Sequence, residues 1–347
     1  VNICDSPLRL RLDRSALVHN WQWLDQRSGA AACGAAIKAD GYGLGAGEVM
    51  RHLSGAGCRD FFVATWAEAN ALGSVAEGLS LSVFHGVRAE DMAAARAGRA
   101  RPVLNTREQV QRWKDGGGGL CDVMVDTGMN RLGVAPVDIA AGLLDGLMVE
   151  TLLSHLACAD EDVPMNAAQC TDFAALKGRT GARRMSLANS AGICLGGGYA
   201  FDLTRPGLAL YGGVPRMEAA GHIRQVATPE AQILQRRRVG AGGKVGYNAT
   251  FIAERDMELA ILNIGYADGY LRGFSGSGHA LAGQVKLPVL GRVSMDLLIV
   301  NVDAAPDLGE GDWVSIGYDL PEAATASGLS QYELLTGLGP RFNRYWG

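Results

Sequence analysis

The sequence predicts a (β/α)₈ barrel followed by a smaller, mostly antiparallel β domain. Eight short apolar runs alternate with amphipathic stretches between about residues 34 and 207. After about residue 226 the pattern changes to short β-like runs separated by Gly, Pro and Asp turns, and 347 residues accommodate both units.

The apolar runs are Gly34–Lys38, Phe61–Thr65, Leu79–Phe84, Arg101–Leu104, Cys121–Asp126, Glu150–His155, Arg184–Ala188 and Phe201–Arg205. Helical patterns fill many of the intervals, over Thr65–Val75, Thr106–Lys114 and Pro136–Leu144. Their first residues suit helix starts, because a threonine hydroxyl accepts an otherwise unpaired N–H and proline has none to leave unpaired. Eight such units in one run favour a closed barrel over a doubly wound open sheet, with the active site at the C-terminal ends of the strands. In the second domain the strand candidates are Gln232–Arg238, Leu259–Ile264, Val285–Leu290, Leu298–Val302 and Trp313–Ile316. Leu8–Leu12 alternates too and is expected to join them. The expected division is therefore an N-terminal strand segment (1–13), a barrel (14–225) and a β domain (226–347).

Composition excludes several classes of function. A net charge of −4 argues against nucleic acid or an anionic membrane surface as partner. No apolar run has the length of a membrane span and no secretory pattern opens the chain, so a cytoplasmic enzyme is expected. The seven cysteines (Cys4, Cys33, Cys58, Cys121, Cys158, Cys170 and Cys194) are odd in number and form no CxxC pair. They read as reduced, mostly buried thiols rather than as a disulfide framework or zinc site, and the histidines show no metal-ligand spacing.

Two segments carry chemistry. In Ala36-Ile-Lys-Ala-Asp-Gly-Tyr-Gly-Leu-Gly45 an apolar strand ends on a lysine and runs into a glycine-rich loop. Only five lysines stand against 27 arginines, and Lys38 alone lies in a barrel strand. A lysine at that mouth is placed to form a Schiff base, and partial desolvation would free its lone pair. The second segment joins Asn189-Ser-Ala-Gly192 to Leu203-Thr-Arg-Pro-Gly-Leu-Ala-Leu-Tyr211, after the seventh and eighth strands, where such barrels often bind phosphate. Taken alone, it reads more readily as a serine helix cap and a turn glycine than as a phosphate site.

Together the motifs resemble the alanine racemases over nearly the whole length. The resemblance rests on Lys38-Ala-Asp-Gly-Tyr, Asp126-Thr-Gly-Met-Asn-Arg-Leu-Gly133, His155 with Asp160, Asn189-Ser190, Arg205-Pro-Gly-Leu-Ala-Leu-Tyr-Gly212, Val245-Gly-Tyr-Asn-Ala-Thr250, Gly265-Tyr-Ala-Asp-Gly269 and Gly291-Arg-Val-Ser-Met-Asp296. It implies that Lys38 holds pyridoxal phosphate and serves as one base, with Tyr247 of the partner subunit in a homodimer as the other. It further implies that Tyr42, Asn189, Ser190, Gly207 and Leu208 belong to the phosphate side of the cofactor site and that His155 lies by the ring. Arg131 and the Met295 backbone would meet the substrate carboxylate, and Asp160, Tyr266, Arg272 and Arg292 would line the access corridor. Inverting a Cα centre requires proton removal on one face and return on the other, so a lysine–tyrosine pair suits the reaction. Arg205 would face the pyridine nitrogen, where a guanidinium, which does not readily release its proton, leaves the ring unprotonated and a weaker electron sink.

Four positions depart from the family pattern. Leu44 and Ser186 stand where many members have histidine, Met124 where a lysine often steadies the substrate arginine, and Pro340 where some members carry a tyrosine at the entrance. Arg131 is then expected to lean on an anion or on Asn130, and Arg205 to be held through water. Alanine is the expected substrate. A serine or broad-specificity racemase, a decarboxylase on the same barrel and a non-catalytic cofactor-binding barrel are the alternatives.

Overall fold

The computed structural model describes residues 6–347, so Cys4 and the start of the N-terminal segment lie outside the described residues. The chain forms two compact units. One comprises Leu17–Leu210 and Val214–Arg224; the other takes the residues up to Ala16, Tyr211–Gly213 and Gln225–Gly347.

The first unit is the predicted barrel. Its parallel sheet runs through Ala35–Ala36, Asp60–Val63, Ser80–Val83, Arg101–Leu104, Leu120–Met124, Met148–Leu153 and Arg184–Ser186, in that order. The eighth strand, Leu203–Thr204, pairs in parallel with Ala32–Cys33. Backbone hydrogen bonds close the ring on both sides of it. Asp202 N donates to Met185 O (3.0 Å) and Arg205 N to Ala188 O (2.8 Å), while Gly34 N donates to Thr204 O (2.9 Å) and Ala36 N to Pro206 O (2.8 Å). A closed sheet leaves no unpaired edge.

The helices start as predicted, and some end sooner. Thr65 caps Trp66–Ala71 in a reciprocal box with Glu68, and Thr106 caps Arg107–Asp115. The first helix stops short of Val75 because Gly73 turns left-handed (φ 71°), and Pro136–Ala140 stops short of Leu144 before Gly142 (φ 86°). Inside the barrel, Phe62, Val103, Met124, Leu153 and Leu203 pack together with Phe84 against them. At the N-terminal ends of the strands the interior is charged instead. Asp60 accepts two hydrogen bonds from Arg184 (2.7 and 3.0 Å) and one from Ser80, and fully buried Asp122 accepts from Ser82 Oγ (2.6 Å) and Thr151 N (3.0 Å).

In the second unit the strand Ala227–Val239 is the spine. It pairs antiparallel with Leu8–Leu12, Trp313–Ile316 and Met257–Leu262. Leu8, Leu10 and Leu12 point inward, while Arg9 stacks over Trp313 and Arg11 pairs with Glu230, which is the alternation a half-buried strand requires. Asn343–Trp346 runs parallel to Leu8–Leu12. That strand, the short His279–Ala282 and the helices Leu320–Ser327 and Gln331–Thr336 were not expected from periodicity. The helices carry readable caps all the same, at Asp319 and in the Ser330–Glu333 box.

Among the described residues no helix is long and apolar enough to cross a membrane, and the cysteines are unpaired, with Cys33, Cys58, Cys121 and Cys194 buried. Replacing Leu153 by alanine leaves a cavity at the centre of the barrel, and the chain is expected to lose about 2–5 kcal/mol of stability. Urea unfolding followed by tryptophan fluorescence checks this, and an unchanged midpoint would contradict the packing described.

Candidate active site

Lys38 follows the first barrel strand at its C-terminal end, where Ile37 N is still bonded to Phe62 O (2.8 Å). The chain then makes a left-handed turn, with positive φ at Ala39, Asp40, Gly41, Tyr42 and Gly43. Such a conformation costs about 1–2 kcal/mol at each non-glycine residue, so it must be held. Glu68 Oε1 accepts from Ala39 N (2.8 Å), Asp40 Oδ1 accepts from Ala46 N (2.8 Å), and Gly43 N donates to Ala39 O (2.8 Å). The turn carries Tyr42 inward, where its hydroxyl leaves no room for a side chain on Gly207. At the mouth, desolvation and then the Arg131 charge lower the Lys38 ammonium pKa, with Glu68 opposing.

Facing this turn is the loop after the eighth strand. Ser190 is buried, and its Oγ accepts from Gly207 N (2.9 Å) and Ala209 N (3.2 Å). Asn189 caps the short helix Ser190–Cys194 by accepting from Gly192 N (2.8 Å). The Gly207 N–H, expected to bind phosphate, is thus engaged by Ser190. The N–H of buried Leu208 has no acceptor among the described residues. The cradle therefore offers the Ser190 hydroxyl, the Tyr42 hydroxyl and one unpaired backbone donor.

Arg205 is buried, with Nη1 donating to Ser186 Oγ and Nη2 to Ser154 O (2.6 Å). Burial lowers its pKa to about 10, opposed by the charge of Asp122. At pH 7 it still carries its proton in all but about a thousandth of molecules. His155 is pushed the other way in charge. Desolvation first, then Arg205, Arg131 and Lys38, lower its pKa to about 3, so the ring is neutral at physiological pH. The mutual influence of these four groups shows that Lys38, Arg131, His155 and Arg205 gather at one mouth.

The second unit collects the remaining predicted residues. Tyr247 is 65% exposed in a loop with Gly246 and Asn248 left-handed, and the Gly246 backbone lies against Arg292 N. Gly265 packs so closely on Ser294 O and Met295 O that a side chain would not fit, which ties Tyr266 to Met295. Arg272 stacks over the Tyr266 ring (5.2 Å). Asp160 is exposed in the loop after His155, in the barrel unit.

Sequence profiles of the alanine racemase N-terminal and C-terminal domains match residues 12–215 and 226–346. The chain belongs to the alanine racemase family. It is 41% identical to the biosynthetic alanine racemase of Agrobacterium fabrum, covering 98% of this chain and 94% of that one, and 43% identical to the alanine racemase of Jannaschia sp., covering 96% and 97%. The crystal structure of alanine racemase from Bartonella henselae with covalently bound pyridoxal phosphate superposes with a TM-score of 0.89 at 33% identity, covering 98% of this chain and 99% of that one. The biosynthetic alanine racemase of Pseudomonas aeruginosa gives 0.89 at 32%, covering 99% of each.

Against that family pattern, two expectations about the departures are corrected. Ser186 holds Arg205 directly, not through water, because its hydroxyl reaches the guanidinium. Asn130 does not anchor Arg131; its side chain turns back to Gly128 O (3.2 Å), and the Arg131 guanidinium has no partner among the described residues. Met124 joins the barrel core and Leu44 is buried, so both exchanges are apolar packing. Pro340 is exposed, and its neighbour Arg341 pairs with buried Asp268 (2.6 and 2.8 Å) and with Asp296 (2.7 Å). Arg341 therefore pins the Tyr266 and Met295 loops together.

The residues that sequence reasoning passed over are those holding others in place: Glu68, Asp268, Arg341 and Asp122. Glu68 was legible as the fourth residue of a Thr-x-x-Glu capping box. The neutrality of His155 is directly testable. Its folded pKa lies below the ordinary value near 6.5, so its contribution to stability is complete above about pH 6.5 and is lost as pH falls toward 3. In ¹³C-histidine-labelled protein its resonance should stay at the neutral position from pH 8 to pH 5. A midpoint near 6.5 would mean that the ring is not desolvated.

Proposed function

We infer that this chain interconverts L- and D-alanine with pyridoxal phosphate attached to Lys38, and that two copies pair so that Tyr247 of each serves the barrel of the other. The observation that carries the reading is the convergence, at one barrel mouth, of a lysine with a lowered pKa, a hydroxyl and N–H cradle, and a buried arginine in place of a carboxylate. These residues fit the cofactor: Lys38 supplies the amine, Tyr42, Ser190, Leu208 and, through Ser190, Gly207 and Asn189 shape the phosphate end, and His155 and Arg205 flank the ring. When bound, pyridoxal phosphate draws electrons from the substrate Cα so that its hydrogen leaves as a proton.

The chain's own groups do the rest. Lys38 holds or moves the proton on one face of Cα, its lowered pKa leaving more free amine at neutral pH. Tyr247 of the partner subunit takes the opposite face. Arg205 has only donors to offer, so it cannot accept a hydrogen bond from a protonated ring nitrogen; it favours the unprotonated ring and keeps the electron demand modest. Neutral His155 adds no positive charge beside it. Arg131, with its guanidinium unpaired, is free to receive the substrate carboxylate beside the Met295 backbone. Asp160, Tyr266, Arg272 and Arg292 border the approach. Large apolar side chains left exposed on the β unit, among them Tyr247, Ile252, Met295 and Leu297, support a paired assembly. On this reading residues 14–225 are the cofactor-binding barrel, while 1–13 and 226–347 form the β domain that delivers Tyr247. A cytoplasmic enzyme fits the unpaired thiols, with D-alanine for peptidoglycan as its product or its degradation as the reverse use.

Incubated with a panel of L-amino acids and the cofactor, the protein should racemise alanine fastest, and borohydride should fix the cofactor to Lys38. Lys38→Ala should lose at least 10³-fold in rate, on the scale of removing a proton-transfer group. An adduct at Lys114, Lys177, Lys244 or Lys286 would sink the assignment, and a preference for serine would move the substrate. Co-expressed Lys38→Ala and Tyr247→Phe chains should recover one working site per heterodimer. No recovery in a verified heterodimer would mean that both bases come from one chain.

A further inference from the structure

The end of the barrel away from Lys38 holds a second concavity. It has a volume of about 340 Å³ and lies where the strands beginning at Ser80, Arg101 and Leu120 enter the sheet. Its lining includes Arg96, Arg99 and Arg101 and no carboxylate. The size is that of a small-metabolite site.

The charges around it do not balance. Arg101 lies deepest, with Nε 3.4 Å from Asp122 Oδ2 and Nη2 3.3 Å from Ser80 Oγ. Asp122 answers Arg101, while Asp60 and Glu150 answer Arg184 and Arg183. Arg96 and Arg99 have neither an ion pair nor a hydrogen bond among the described residues. The Arg96 guanidinium stands against Gly117 (3.9 Å from a Cβ built there), at the edge of the Gly116–Gly119 run. The Gly119 N–H, which borders the same space, also lacks an acceptor among the described residues. Arg101 is already answered by Asp122, while Arg96 and Arg99, exposed to solvent at the rim, carry two positive charges that no carboxylate among the described residues neutralises. That is the charge a dianion matches, and guanidinium forks pair with phosphate oxygens.

We propose that this cavity is an anion site for a small phosphate monoester, separate from the active site and held by Arg96, Arg99 and Arg101. The glycine run lets the backbone come close to the ligand, as a side chain there would not. Arg101 links the site to the barrel interior, because the Asp122 it touches is also felt electrostatically by Arg205. The proposal is independent of the reaction at Lys38.

The test uses holoenzyme with its cofactor fixed by borohydride, so that the phosphate cradle at the other mouth is filled. Calorimetric titration with inorganic phosphate in about 0.15 M chloride, where surface charges are screened beyond about 8 Å, should give saturable binding of one phosphate per chain. The Arg96→Ala/Arg99→Ala double variant changes only exposed side chains; it should weaken binding at least tenfold, and the same variant assayed without borohydride should racemise alanine as the parent does. Arg179→Ala, an exposed arginine outside the cavity, should bind phosphate as the parent does. No saturable binding in the parent overturns the proposal, as does equal affinity in the double variant.

Discussion

The hydrogen bonds that close the barrel set everything that happens at its mouth. Because Ala36 N is bonded to Pro206 O, the chain beyond the first strand and the chain beyond the eighth are neighbours, and the turn that follows Lys38 sets Tyr42 against Gly207. The same strand end that carries Pro206 carries Arg205, whose backbone is bonded to Ala188. Lys38 and Arg205, 167 positions apart in sequence, are therefore held at one mouth with the anion cradle by a few backbone contacts, and no flexible loop is asked to bring them together.

Once the ring is closed, charge placement does the tuning. Lys38 and His155 are both shifted away from their charged forms, while Arg205 keeps its charge in spite of burial because its ordinary pKa is so high. Arg205 and Arg131 are the fixed cations of the mouth; after desolvation, their repulsion holds His155 neutral, and that of Arg131 weakens the charged form of Lys38. The left-handed turn from Ala39 to Gly43 is the backbone counterpart. It is costly, is secured by Glu68 and Asp40, and is maintained where Tyr42 must reach Gly207.

Much of this was legible in the residues themselves. The eight apolar runs gave the strands because strands buried on both faces must be apolar, and Thr65, Thr106 and Pro136 marked real helix starts. Lys38 stood out by rarity and by its place at a strand end. What periodicity left out was set by long-range packing. Asn343–Trp346 is a strand because Leu8–Leu12 offers it an edge, and His279–Ala282 because it pairs with Val285–Pro288 on one side and Trp313–Ile316 on the other. Positioning residues were hidden for a similar reason. Nothing local marks Arg341 as the partner of Asp268, 73 positions away, or Ser186 as the hydroxyl that meets Arg205.

The unpaired cysteines give the barrel an internal clock. Burial pushes the thiols of Cys33 and Cys121 up to about 12, and that of Cys58 also upward. Only the thiolate reacts with an electrophile, and at neutral pH about one molecule in 10⁵ carries it at such a site. A folded barrel is therefore chemically silent at these positions, and an alkylating reagent can mark them only in the instants when strands separate. The rate at which label accumulates at Cys33 and Cys121 then measures how often the closed ring opens.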